Sequence, residues 1–188
     1  MKVFMIRHGE SETNRSGSWT GWLDVSLTEK GRAEAEAVGK LISEIKFDKI
    51  YVSDLSRAVT TAEIAIPGCE YETLSILREI NVGSIAGQPL NVVRESEKAV
   101  LDKDGFRIFG GESRAELGDR VKAFREMLEG QNYDYVAVFS HAGFIKKYLD
   151  AVLGIDVSLK NILCRNCSLA IFEYSDKSWQ LHSWINHY

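Results

Sequence analysis

The chain has 188 residues, 45% of them apolar and 27% charged, with a formal net charge of -4. This is enough chain to bury one core without metal or disulfide support, and the composition argues against disorder, collagen-like repeats and coiled coil. An acidic balance also disfavours nonspecific nucleic-acid binding, which draws on surplus Lys and Arg facing phosphates, so any anion site has to be local.

In chain order, residues 3–6 read as a strand that ends directly on Arg7-His8-Gly9-Glu10. Ligands of open α/β sheets bind outside the carboxyl ends of strands, and His suits chemistry near neutral pH. Residues 11–25 form a polar loop whose Thr20-Gly21-Trp22 can fold back over that strand end. Thr28 then caps a helix whose apolar positions Ala33, Ala37, Leu41 and Ile45 recur at helical spacing. Residues 49–52 read as a second strand, followed by Ser53-Asp54 as caps of a helix running to Ala65, which Pro67-Gly68 ends. Arg57 falls in its first turn.

A β-like stretch over 71–78 leads to Glu79 and a segment punctuated by Gly83 and Gly87. Residues 88–111 are the least regular and are expected to form a small inserted cap with a helix near 92–101. Ser113 and Glu116 match a capping box ahead of the stripe Leu117, Val121, Phe124 and Leu128. Residues 135–139 are a buried-type strand with Ser140-His141 at its end, and Gly143 opens a helix through Leu153. Two last strands, 169–174 and 179–184, flank Ser175-Asp176-Lys177-Ser178 as an antiparallel hairpin. The alternation predicts one domain over 1–188: a three-layer α/β/α sandwich, mostly parallel, with helices on both faces of the sheet. Arg7-His8, the turn before Arg57, and His141 then meet at one crevice.

No room for a cleavable leader precedes the first strand and no run of 18 apolar residues occurs, so the expectation is a cytoplasmic protein without a membrane partner. Cys69, Cys164 and Cys167 are an odd, sparse set, unlike a secreted disulfide framework. Cys164-Arg165-Asn166-Cys167 has the C-x-x-C spacing of zinc or redox sites, but no second Cys pair or paired histidines completes four ligands. Two packed, reduced thiols are the reading adopted. His182 and His187 read as surface or tail residues, and Trp19, Trp22, Trp179 and Trp184 as packing groups.

A phosphoryl group carries about two negative charges near neutral pH, and guanidinium forks match its oxygens. Arg7 and Arg57 are the obvious pair. A neutral imidazole between them can attack phosphorus in line, His141 can donate to an equatorial oxygen, and a carboxylate must protonate the leaving group and later activate water. Glu79 is preferred for that task over Glu72 and Glu95. In the 88–111 segment Arg94, Lys98, Lys103 and Arg107 are available to a second anionic group or to solvent.

These residues and their neighbours, Arg7-His8-Gly9-Glu10-Ser11, Asn14, Thr20-Gly21-Trp22, Leu27-Thr28, Gly31, Ser53-Asp54-Leu55-Ser56-Arg57-Ala58, Leu77-Arg78-Glu79, Gly111-Glu112-Ser113 and Ser140-His141-Ala142-Gly143, resemble in order the motifs of the histidine phosphatase, or phosphoglycerate mutase-like, superfamily. The resemblance spans residue 1 to about residue 175. It implies His8 as the phosphorylated nucleophile, Arg7, Arg57 and His141 as the phosphate pocket with Ala142 beside them, and Glu79 as proton donor. It further implies Asn14 on the phosphoryl group, Thr20 and Gly21 near the substrate, and no metal or organic cofactor. The expected activity is hydrolysis of a small phosphorylated metabolite. A phosphoglycerate mutase is the alternative, and a non-catalytic phospho-ligand binder the alternative of another class. Mutases resembling this chain carry a longer insertion and tail, so the compact 88–111 segment and the ending at His187-Tyr188 favour hydrolysis. Phosphorylated sugars, glycerates, nucleotide-like phosphates, α-ribazole phosphate and phosphoserine stay open as substrates, and oligomeric state is not legible.

Overall fold

The computed structural model describes residues 1–154 and 162–186. Its six-stranded sheet contains β1 (Lys2–Arg7), β2 (Lys49–Val52), β3 (Glu72–Thr73), β4 (Tyr135–Ser140), β5 (Leu169–Ser175) and β6 (Ser178–Ile185), in the order β3-β2-β4-β1-β5-β6. The first four strands in that order run parallel, and β5 and β6 form the expected antiparallel hairpin. The hairpin turn holds Asp176 and Lys177 at φ 51° and 61°, the primed geometry whose twist matches its strands.

Side chains alternate across a strand, and β1 and β4 are apolar at both parities. Val3, Met5, Val136 and Val138 therefore enter one core while Phe4, Ile6, Ala137 and Phe139 enter the other. A short helix, α1 (Glu12–Ser16), follows β1; helices α5 (Arg114–Glu129) and α6 (Ala142–Leu153) cover the first face, and α2 (Glu29–Ile42) and α3 (Ser56–Ala65) the second. The molecule is thus the three-layer α/β/α sandwich that the alternation predicts. In α5 the Ser113 capping box forms and Leu117, Val121, Phe124 and Leu128 are all buried. Each such side chain contributes about 1.5–3 kcal/mol by leaving water.

Several local expectations are corrected. α2 buries Gly31, Ala35, Val38, Gly39 and Ile42, while Ala33 and Ala37 are exposed and Leu41 is 50% exposed. Glycines sit on the buried face where α2 comes close to α3 and to the turn after β1: a Cβ on Gly39 would lie 2.6 Å from the Ala65 carbonyl oxygen, and one on Gly31 2.1 Å from that of Glu10. Helix α3 starts at Ser56, after Leu55, with no side-chain cap; Ser53 and Asp54 are committed elsewhere. The 71–78 stretch yields only the two residues of β3 before a 3-10 turn at Ser75–Leu77. In the 88–111 segment the helix is α4 (Glu95–Asp104), flanked by 3-10 turns at Leu90–Val92 and Arg107–Phe109. Val93, Leu101 and Phe106 anchor the segment in the first core, and Trp19 packs edge-on against Phe106 at 5.2 Å.

Trp179 is buried, but Trp22 is 39% exposed and serves the site rather than the core. His182 is exposed and lies beside Glu173 on the hairpin, and His187 lies outside the described residues. Among the described residues no helix is long and apolar enough to cross a membrane.

Candidate active site

Parallel pairing of β1, β4 and β2 puts Arg7 opposite Ser140 and Val52 opposite Phe139, so His8, Ser53 and His141 emerge together from one sheet edge. The His8 and His141 rings lie 5.1 Å apart between centroids, and both are buried at 3% and 0% exposure. His8 Nδ1 lies 2.7 Å from the Gly9 carbonyl. A carbonyl only accepts, so the ring proton sits on Nδ1 and Nε2 carries the lone pair. Arg57 Nε donates to that Nε2 at 3.3 Å. Burial first, then Arg57 and Arg7, hold His8 well below its ordinary pKa of 6.5: the imidazole is a neutral base among cations.

Arg57, in the first turn of α3, is wholly buried. Burial lowers its guanidinium to about 10, opposed by Glu79 and Asp24, which leaves it charged at neutral pH. It also donates to the Leu23 and Gly21 carbonyls at 2.9 and 2.8 Å and so straps the 20–23 loop over the strand ends. Thr20 reaches the same region through a 2.6 Å bond to Thr13. Arg7 Nη1 donates to the Cys164 carbonyl at 2.6 Å, while its Nε is buried without a partner.

His141 is the N-cap of α6, so Ala142 opens that helix next to the imidazoles. Its Nε2 lies 2.8 Å from Ser53 Oγ and its buried Nδ1 has no partner. Burial, Arg57, His8, Arg7 and Arg120, in that order, depress its pKa. The Glu79 carboxylate is fixed by backbone amides: Ile80 N–H donates to Oε1 at 2.9 Å and Gly143 N–H to Oε2 at 3.1 Å. Gly143 must be glycine for this approach, since a Cβ there would lie 2.1 Å from Glu79 Oε1.

The structure thus gathers Arg7, His8, Arg57, His141, Ala142 and Glu79, with Gly21 tied in by Arg57. Asn14 joins through a bond from Asn166. The rival carboxylates are elsewhere: Glu72 pairs with Lys49 and Glu95 with Lys98. Arg94, Lys98, Lys103 and Arg107 are all exposed, with Arg107 held by Glu116. Burial pushes the Cys164 and Cys167 thiols upward, as for inert packed cysteines, and among the described residues no three His, Cys, Asp or Glu groups are placed to hold a metal ion.

Sequence reasoning missed several supporting residues. Ser53, read as a helix cap, instead engages His141. Trp22 donates to the Glu79 carbonyl at 2.7 Å while Arg78, paired to Asp54, lies over its ring. Arg120 donates to the carbonyls of Ile76, Arg78 and Glu79 and to both oxygens of Glu112. Lys146 follows Gly143 by one turn of α6, and burial lowers its ammonium, with Arg7 adding to that and Cys164 and Glu79 opposing it; the i, i+3 spacing was its available signal.

Residues 3–187 match the sequence profile of the histidine phosphatase superfamily, branch 1. The chain belongs to that superfamily. This histidine phosphatase is accordingly a hydrolase of a family that acts on small phosphorylated metabolites. It is 30% identical to a Salmonella paratyphi A protein named "Probable phosphoglycerate mutase GpmB", over 98% of this chain and 90% of that protein. Among solved structures, the phosphoserine phosphatase of Entamoeba histolytica in complex with 3-phosphoglyceric acid superposes with a TM-score of 0.85 at 26% identity, covering 99% and 97% of the two chains. The α-ribazole phosphatase of Shigella flexneri shares the fold, with a TM-score of 0.88 at 22% identity over 98% and 96%.

Proposed function

We propose that this histidine phosphatase hydrolyses a small phosphomonoester through a phosphohistidine at His8 Nε2, without a metal. One observation carries the reading: around a neutral imidazole whose Nε2 lone pair meets only Arg57 Nε stand two buried nitrogens, Arg7 Nε and His141 Nδ1, that lack any partner. Buried polar groups are normally satisfied, and a phosphoryl oxygen would accept from Arg7 Nε and from His141 Nδ1 in its Nδ1–H tautomer.

In the first step Nε2 attacks phosphorus, the bond from phosphorus to the ester oxygen breaks, and Glu79 gives its proton to the departing oxygen. In the second, ionised Glu79 takes a proton from water, whose oxygen attacks phosphorus as the bond to Nε2 breaks. Arg7 and Arg57 offset the charge on the transferred group, and His141, with Ser53 donating to its Nε2, presents an Nδ1 proton to an equatorial oxygen. Asn14, Thr20, Gly21 and Ala142 line the space that group occupies.

The test is a panel of phosphoserine, 3-phosphoglycerate, α-ribazole phosphate and sugar phosphates, assayed with chelator for phosphate release beside His8→Ala. The wild type is expected to turn over at least one ester and to yield an acid-labile phosphoenzyme on quenching. His8→Ala should lose roughly four or more orders of magnitude in kcat, as for other nucleophile deletions; undiminished activity in that variant would sink the mechanism. The 30% identity to a protein named as a probable phosphoglycerate mutase keeps a mutase as second reading. Interconversion of 2- and 3-phosphoglycerate faster than phosphate release would favour it.

A further inference from the structure

The C-x-x-C segment, which has no metal or redox part in the chemistry above, docks on the catalytic strand end. Arg7 N–H donates to the Ser168 carbonyl at 3.1 Å and Cys167 N–H to the His8 carbonyl at 3.3 Å. Asn166 sits inside this turn. Its Nδ2 donates to the His8 carbonyl at 3.1 Å and to Asn14 Oδ1 at 3.0 Å, which uses both of its amide hydrogens.

The orientation of the two amides follows from backbone groups that have no choice. The Ser11 N–H can only donate, and it lies 3.2 Å from Asn14 Oδ1; the His8 carbonyl can only accept, so Asn166 must turn Nδ2 toward it. Asn14 Oδ1 is therefore occupied by two donors. An amide whose oxygen is doubly engaged has only its NH2 left to present.

We propose that Asn166 is a positioning residue, which clamps Asn14 by its oxygen so that Asn14 Nδ2 is presented to a phosphoryl oxygen beside His8. The inference rests on the reading that Asn14 meets the phosphoryl group. Without Asn166, Asn14 Oδ1 keeps only the 3.2 Å bond from the Ser11 N–H, and a rotation that turns the oxygen toward an anion, which repels it, becomes easier. The attachment of the turn itself does not depend on Asn166, because the Cys167 and Arg7 amides hold it independently.

The test is a double-mutant cycle on kcat/KM with p-nitrophenyl phosphate as probe, using Asn14→Ala, Asn166→Ala and the double variant, with thermal midpoints recorded for each. Asn14→Ala should lose about 10–100-fold, the worth of a hydrogen bond to a charged group. Asn166→Ala should lose about 5–20-fold on the same scale, and the double variant should match Asn14→Ala to within about threefold. An impaired Asn14→Ala beside an unimpaired Asn166→Ala overturns the role of Asn166 alone, as do losses that multiply in the double variant, the result a merely loosened turn would give. Wild-type activity in Asn14→Ala overturns the phosphoryl contact and the inference with it. If Asn166→Ala does not fold, the same cycle with Asn166→Leu, uncharged and similar in volume but lacking the donor, decides by the same outcomes.

Discussion

His8 and His141 are buried and neutral, and protonating either one places a cation beside Arg57 and Arg7. Both folded-state pKa values lie well below the ordinary 6.5. Below that pH the unfolded chain therefore binds protons that the folded chain refuses, and stability must fall as pH falls. The slope is about 1.4 kcal/mol per pH unit for each histidine. Urea unfolding from pH 7.5 down to about 5, above the range where carboxylates titrate, should show this loss, and His8→Ala/His141→Ala should flatten it. An unchanged slope in the double variant would mean that the imidazoles are not held neutral. At this scale the sequence was most informative. Charged or titratable groups placed directly after apolar runs, Arg7-His8 and Ser140-His141, have few structural reasons to be there. Asn166 and Ser53 were illegible because each acts only through hydrogen bonds to residues far away in the chain.

Helix α6 begins as the general-acid candidate requires, with Gly143 giving its amide to Glu79 in the helix's first turn. Gly143→Ala is expected to part stability from activity. Alanine favours a helix by about 1 kcal/mol over glycine, whereas its Cβ would collide with Glu79 Oε1 at 2.1 Å. The thermal midpoint should hold or rise while kcat falls by about 100-fold, the low end for loss of general acid-base catalysis. Equal retention of both would show that Glu79 does not need this seat. Elements with one strong signal, such as the capping box and stripe of α5, were readable. In α2 the apolar period admits more than one face, and only the close approach of α3 and of the turn after β1 selects the one that carries Gly31 and Gly39.

Across the molecule, Arg120 joins α5 to the turn that carries Glu79 and to Glu112, at 18% and 10% side-chain exposure for the pair. Removing one partner of a largely buried pair leaves the other charge uncompensated, a loss of about 3–5 kcal/mol. Arg120→Met should therefore be strongly destabilised in urea, and adding Glu112→Gln should restore part of the loss by removing the stranded carboxylate. A double variant no more stable than Arg120→Met would mean that the pair is not the brace described.

What the sequence determined by itself was the periodic and local part: strands apolar at both parities, a capped helix, a polar hairpin turn, and candidate site residues at strand ends. These depend on neighbours a few positions away. The tertiary structure alone decided which face α2 buries, that Ser53 bonds to His141 rather than capping α3, that Trp22 and Arg120 donate to the Glu79 turn, and that Asn166 reaches Asn14. Each of these is set by contacts between groups far apart in the chain, and such contacts exist only once parallel strands have brought their carboxyl ends to a single edge.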